Sequence, residues 1–162
     1  MTMSYIGQFA VPCRAREAVD FLVDPYKIAR CIPDAKVSDI ADSDHFSVAM
    51  RINLGPFAGY LRIKVEIRDK KDGNSATLLA NGSVAGQSVY VDGRFSVLQN
   101  RNSALVEWSA DAQLGGLLGK LPGEVLDRFV QEKLRKFVQE LRKQISGEAN
   151  MEDDGNWSVK RS

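Results

Sequence analysis

The chain has only two cysteines, one histidine and five prolines in 162 residues. Cys13 and Cys31 are too few for a disulfide framework and are not spaced like metal ligands. With His45 as the sole imidazole, three or four metal ligands could be assembled only by recruiting several carboxylates, so no metal is expected. A run of about 18 apolar residues, the minimum for a membrane-spanning helix, is also missing. The opening "MTMSYIGQFAVPC" has no basic start followed by an apolar stretch, so no signal peptide is expected. Charge of one sign is lacking too: 22 basic against 21 acidic side chains leave a formal +1, so no global field draws nucleic acid. These absences predict a soluble, cytoplasmic single-domain protein.

What the sequence does have is alternation. Phe46, Val48, Met50, Ile52 and Leu54 recur with a period of two, and after "GPFAG" so do Leu61, Ile63, Val65 and Ile67, opposite Arg62, Lys64, Glu66 and Arg68. Residues 75–84, 87–98 and 104–114 continue the pattern, the last with Val106, Trp108, Ala110, Ala112 and Leu114 on one side. Short turns such as "KKDGN" join them, which predicts an antiparallel meander with one apolar face.

The ends supply the cover for that face. From 122 to 145, Val125, Leu126, Phe129, Val130, Leu134, Phe137, Val138, Leu141 and Ile145 form the stripe of a long amphipathic helix, with Pro122 at its start and Gly147 past its end. Residues 4–12 read as a strand. A helical stretch containing Ala18, Phe21 and Leu22 follows, and then "DPYKIARCIPDA". Here Asp24 caps a second short helix, Pro25 takes its first position, Ile28, Cys31 and Ile32 face inward together, and Pro33 stops the turn. The expected architecture is an α+β helix-grip fold over residues 1–146: about seven curved antiparallel strands wrapped around a long C-terminal helix, with two short helices after the first strand. Residues 147–162 form a polar stretch without period, expected to be disordered.

Most candidate chemistry fails on phase. Cys31 as a nucleophile needs a base, and His45 lies out of phase with the inward set that begins at Phe46. No strand places Asp or Glu among the apolar positions, so acid–base catalysis has no candidate. "GGLLGKLPG" imitates a phosphate loop, but Leu121 replaces the hydroxyl residue that would hold magnesium. Its leucines are either tucked beneath the last strand or exposed at a portal. Seven basic against four acidic residues from 120 to 145 suit a solvated face with pairs such as Glu132–Lys136, or an anionic membrane surface. The small residues Gly82, Gly86, Gly93, Ala110 and Ala112 thin the interior, and a dry pocket of about 300 Å³ or more would separate ligand binding from an ordinary core.

"FAVPCRAREAVDFLVDPYKIARCIPDA" resembles the opening of the carbon monoxide dehydrogenase CoxG family, and "LGPFAGYLRIKVEI", "GSVAGQSVYVDGRFSVL" and "ALVEWSADAQLGGLLGKLPGEVL" extend the resemblance over residues 4–145. The family belongs to the START-like (SRPBCC) superfamily, so the resemblance implies a hydrophobic-ligand cavity between sheet and helix. By their inward phase Phe46, Met50, Ile63, Phe95, Trp108, Leu126 and Phe129 are expected to wall that cavity, and Ile28, Cys31 and Ile32 to border its mouth. No covalent cofactor is implied. The ligand expected is a quinone or lipid, and the expected partners are the components of a molybdenum hydroxylase of the carbon monoxide dehydrogenase type. Some members carry a C-terminal apolar anchor where this chain has "MEDDGNWSVKRS", so any contact with the inner face of the cell membrane is expected to be peripheral. Two other functions fit the same fold: a cyclase or hydrolase acting on a polyketide-like substrate in that cavity, or a ligand-free assembly adaptor with a solid core.

Overall fold

The structure, a computed structural model, describes residues 2–146 and 157–162. Alternation becomes one antiparallel sheet: β1 (Thr2–Val11), β2 (Ala35–Asp42), β3 (His45–Leu54), β4 (Phe57–Arg68), β5 (Ser75–Val84), β6 (Gln87–Asn100), β7 (Ser103–Leu114) and β8 (Trp157–Arg161). Across the sheet the order is β2-β3-β4-β5-β6-β7-β1-β8, so the meander closes back on the first strand and the last strand covers that strand's other edge. The helices are α1 (Ala15–Leu22), α2 (Pro25–Cys31) and α3 (Gly123–Ser146). At about 1.5 Å per residue, α3 is about 36 Å long, enough to cross the sheet. This is the α+β helix-grip architecture expected from the pattern.

Two strands escape the sequence reading. β2 is mostly exposed, and register shifts after Val37 and Ile40 break its alternation against β3. β8 corrects the expectation of a disordered tail for residues 157–161; residues 147–156 lie outside the described residues. Trp157 and Val159 point toward the interior and pack against its clusters, while Arg161 reaches α3. Two inward apolar side chains suffice here because the backbone of β1 offers a paired edge. The pairing also requires Gly7. A Cβ there would lie 2.3 Å from the Ser158 carbonyl oxygen and 2.6 Å from Trp108 Cζ2.

Polar contacts fasten α3 along its length. Near its start, Asp127 accepts hydrogen bonds from Tyr5 Oη (2.8 Å) and Arg161 Nε (3.0 Å). Midway, Lys133 and Lys136 donate to Asp34 at 2.7 and 3.2 Å, tying the helix to the corner between α2 and β2. Toward its end the buried Arg142 donates from Nε to the Ala10 carbonyl at 2.9 Å. The expected Glu132–Lys136 pair forms at 3.5 Å. The segment "DPYKIARCIPDA" thus has a structural task at both ends. Asp24 caps α2 by accepting from the amides of Tyr26 and Lys27, and Asp34 clasps α3.

The Gly7→Ala substitution should destabilise the protein by about 1–3 kcal/mol through overpacking. Calorimetry should read this as a fall of roughly 2–4 °C in melting temperature per kcal/mol for a domain of this size. The Lys133 and Lys136 ammonium groups hold the Asp34 carboxyl below its usual range. Its contribution is therefore present above the ordinary carboxylate pKa and is lost as pH falls through the lower folded value. Asp34→Asn should cost about 0.5–1 kcal/mol at neutral pH for this partly exposed pair, and urea titrations of the two proteins should converge in strong acid.

Candidate functional site

Strand register places the inward residues in rows that run across the sheet. One row passes through Met3, Ala112, Val91 and Ala80, and the next through Tyr5, Ala110, Gly93 and Leu78. Small side chains in these rows cannot reach the helix that crosses them. Beneath Leu126, Phe129 and Val130 of α3 the result is a cavity of about 220 Å³. A second cavity of about 160 Å³ continues under the following turns of α3, at Leu134 and Phe137.

The first cavity is lined by hydrocarbon and thioether side chains, with Tyr5 as the one exception. The Tyr5 hydroxyl donates to Asp127, and burial, reinforced by that hydrogen bond and the Asp127 charge, pushes its pKa up to about 12. Asp127, in turn, is held below the usual carboxylate range by hydrogen bonding to Arg161 and Tyr5. The phenol therefore stays neutral, with its proton committed to Asp127. Such a wall can exclude water and enclose an apolar body.

Of the ten residues expected at the site, Met50, Ile63, Leu126 and Phe129 line the first cavity. Ile28, Phe95 and Trp108 line the second. Cys31, Ile32 and Phe46 line neither. Cys31 and Phe46 belong to the solid core with Val48, Val138 and Leu141, and Ile32 packs against that cluster. Cys31 is 0% exposed, so it borders no mouth; inward phase made it core rather than rim. Its thiol donates to the Lys27 carbonyl within α2, and burial, with the Glu140 charge second, pushes it up to about 12. It carries no thiolate at neutral pH.

His45 faces outward as expected, with Nδ1 2.7 Å from Asp42 and Nε2 3.7 Å from Glu66. The hydrogen bond to Asp42 raises its pKa above the ordinary imidazole value. Of the residues expected to thin the interior, Gly82 and Ala112 line the first cavity, Gly93 and Ala110 the second, and Gly86 instead makes the turn between β5 and β6. The sequence reading missed Tyr5, although it shares the phase of Phe9 and Val11 on β1. It left open the leucines of "GGLLGKLPG". There a 3₁₀ turn over Gly116–Lys120 splits them: Leu118 is 2% exposed and lines the first cavity, and Leu117 is 59% exposed.

The first cavity, at about 220 Å³, falls short of the roughly 300 Å³ set above as the mark that separates ligand binding from an ordinary core. An apolar cavity of about 150 Å³ admits benzene, so there is room for a single substituted ring or a short chain. Among the described residues no group of three His, Cys, Asp or Glu is placed to hold a metal ion, and no helix is long and apolar enough to cross a membrane.

Several solved structures share this fold. A conserved protein from Geobacillus kaustophilus superposes with a TM-score of 0.79 at 19% identity, over 89% of this chain and 95% of that one. A START superfamily protein from Mycobacterium smegmatis gives 0.65 at 12% identity over 90% and 98%. Norcoclaurine synthase from Thalictrum flavum gives 0.62 at 15% identity over 90% and 87%. At such identities the likeness shows the START-like fold alone. No curated protein matches the sequence. Residues 7–146 match the carbon monoxide dehydrogenase CoxG family, nearly the whole of the sheet and helix described above, and the chain belongs to that family.

Proposed function

We propose that this protein holds a hydrophobic molecule, a quinone or a lipid, between its sheet and α3, and serves a molybdenum hydroxylase of the carbon monoxide dehydrogenase type as an accessory factor at the membrane surface. The observation that carries the reading is the apolar cavity beneath Leu126 and Phe129. Space inside a folded core with no free polar side chain at its wall favours an apolar occupant, because a polar one would lose its hydration without replacement. Membership of the family supports the link to carbon monoxide dehydrogenase. The cavity volume favours the ring of a quinone over a whole lipid, whose chains would have to extend beyond it. A membrane contact would be peripheral, through the basic face of α3. Cyclase or hydrolase chemistry has no acid–base group among the lining residues on which to rest, since the Tyr5 proton is committed to Asp127.

Native mass spectrometry after purification, with organic extraction, should find a bound quinone or lipid. Added tetramethyl-1,4-benzoquinone, a single substituted ring, should raise the melting temperature by several degrees, because a ligand at 100 times its Kd stabilises by about 2.7 kcal/mol. Ala112→Phe, which projects a ring into the cavity, should abolish that rise while keeping the fold. Protein that is always empty and whose melting ignores the quinone would overturn the proposal. Copurification with the hydroxylase tests the accessory role separately.

A further inference from the structure

The sheet has an outer face, turned away from α3 and from both cavities. At the β2–β3–β4 corner of that face the outward residues form a groove of about 890 Å³. Ser47 and Ala49 of β3 make its floor and are too small to fill the space above them. Register sets Ala49 between Lys36 of β2 and Arg62 of β4, and sets Ser47 opposite Lys64. Strands lie about 4.8 Å apart, so the two basic walls stand roughly 10 Å from each other, while Arg62 and Lys64 are about 7 Å apart along β4. Tyr60, 50% exposed, continues the β4 wall and has Arg51 directly opposite it.

The charge in this groove is unbalanced. Lys36, Arg62 and Lys64 line it, and no acidic side chain does. With Arg51 at the rim these cations are exposed, and none of them makes an ion pair among the described residues. Farther along the same strands the surface neutralises itself. Glu66 pairs with Arg68 and approaches His45, which Asp42 also holds, and Asp44 pairs with Lys70. The positive patch is therefore short, with carboxylates beyond one end of it and the turn between β3 and β4 beyond the other. A bilayer surface or a long nucleic acid would press phosphates against those carboxylates as well. A short acidic stretch of polypeptide would not.

We propose that this groove docks a short acidic segment of a partner protein, extended along β3 with carboxylates at alternate positions. Alternate side chains of an extended chain recur on one side about every 7 Å, which is the spacing of Arg62 and Lys64. Those two cations meet the carboxylates, Lys36 and Arg51 add attraction across the groove, and Tyr60 packs against the end of the segment. Arg and Tyr are the residue types that most often dominate the energy of such contacts. The inference goes beyond the ligand-binding function, because groove and cavities lie on opposite faces of the sheet.

The test uses the full chain and two fluorescein-labelled peptides of equal composition, one with glutamate and serine alternating and one with the same residues in two blocks. By fluorescence anisotropy the alternating peptide should bind about threefold tighter than the block peptide, because it turns all its carboxylates to one side. Raising the salt from about 0.1 to 1 M shortens the screening length from about 10 to 3 Å and should weaken binding about tenfold. Arg62→Glu should also weaken it about tenfold. Lys160→Glu, the same change of charge on β8 at the far edge of the sheet, should weaken it less than twofold. Neither residue lines a cavity, so stabilisation by the quinone should survive in Arg62→Glu, and a failure of peptide binding leaves the ligand-binding function standing. Absence of peptide binding, equal affinity for the two peptides, or equal losses in the two variants overturns the proposal. Tighter binding of a short oligothymidylate or of phosphatidylglycerol vesicles, abolished by Arg62→Glu, overturns it too and assigns the groove to nucleic acid or to lipid.

Discussion

The interior of this protein depends on a long helix held off a sheet whose middle rows are too small to meet it. Polar contacts fix the helix at Asp127, at Lys133 and Lys136, and at Arg142, on partners drawn from β1, β8 and the corner after α2. Solid packing of Val138 and Leu141, together with the edge-to-face contact of Phe137 with Phe9 at 6.5 Å, seats its C-terminal half. The N-terminal half has Leu126, Phe129 and Val130 above Ala80, Gly82 and Ala112. With both ends fastened, the helix cannot sink to close the gap. The cavity therefore follows from where the fold anchors its helix as much as from the size of the residues beneath.

The same constraint gives the C-terminal strand its importance. Arg161 binds Asp127, and Asp127 accepts the proton of Tyr5, which stands in the wall of the first cavity. β8 also fits against Gly7, the position over which the Trp108 indole lies. Two wall residues are thus held from behind by one short strand. The chain beyond α3 contributes to the geometry of the site without touching its contents.

Much of this was legible in the sequence, for a definite reason. Half-buried strands and an amphipathic helix each imprint a period on apolar residues, so β3 to β7 and α3 could be placed from alternation and i, i+3, i+4 spacing alone. Phase told inward from outward correctly at His45 and Cys31. It could not tell solid core from cavity wall, because Phe46 and Met50 share a face and only the height of the helix above each one separates them. Ile28, Phe95 and Trp108 were placed at the one expected pocket and belong to a second. β8 was illegible because its pairing depends on an edge supplied by the opposite end of the chain.

The volume itself has an energetic meaning. At roughly 24 cal/mol per Å³, an empty apolar cavity of about 220 Å³ costs on the order of 5 kcal/mol relative to a filled core. Net stabilities of single domains are about 5–15 kcal/mol, so this cost is a large share of what holds the fold. Larger residues at Ala80 or Ala112 would remove much of it within the same strand pattern. Mass action supplies another remedy: an occupant at 100 times its Kd restores about 2.7 kcal/mol, roughly half the cost. A core that forgoes packing to this extent would gain stability from an apolar occupant of the gap.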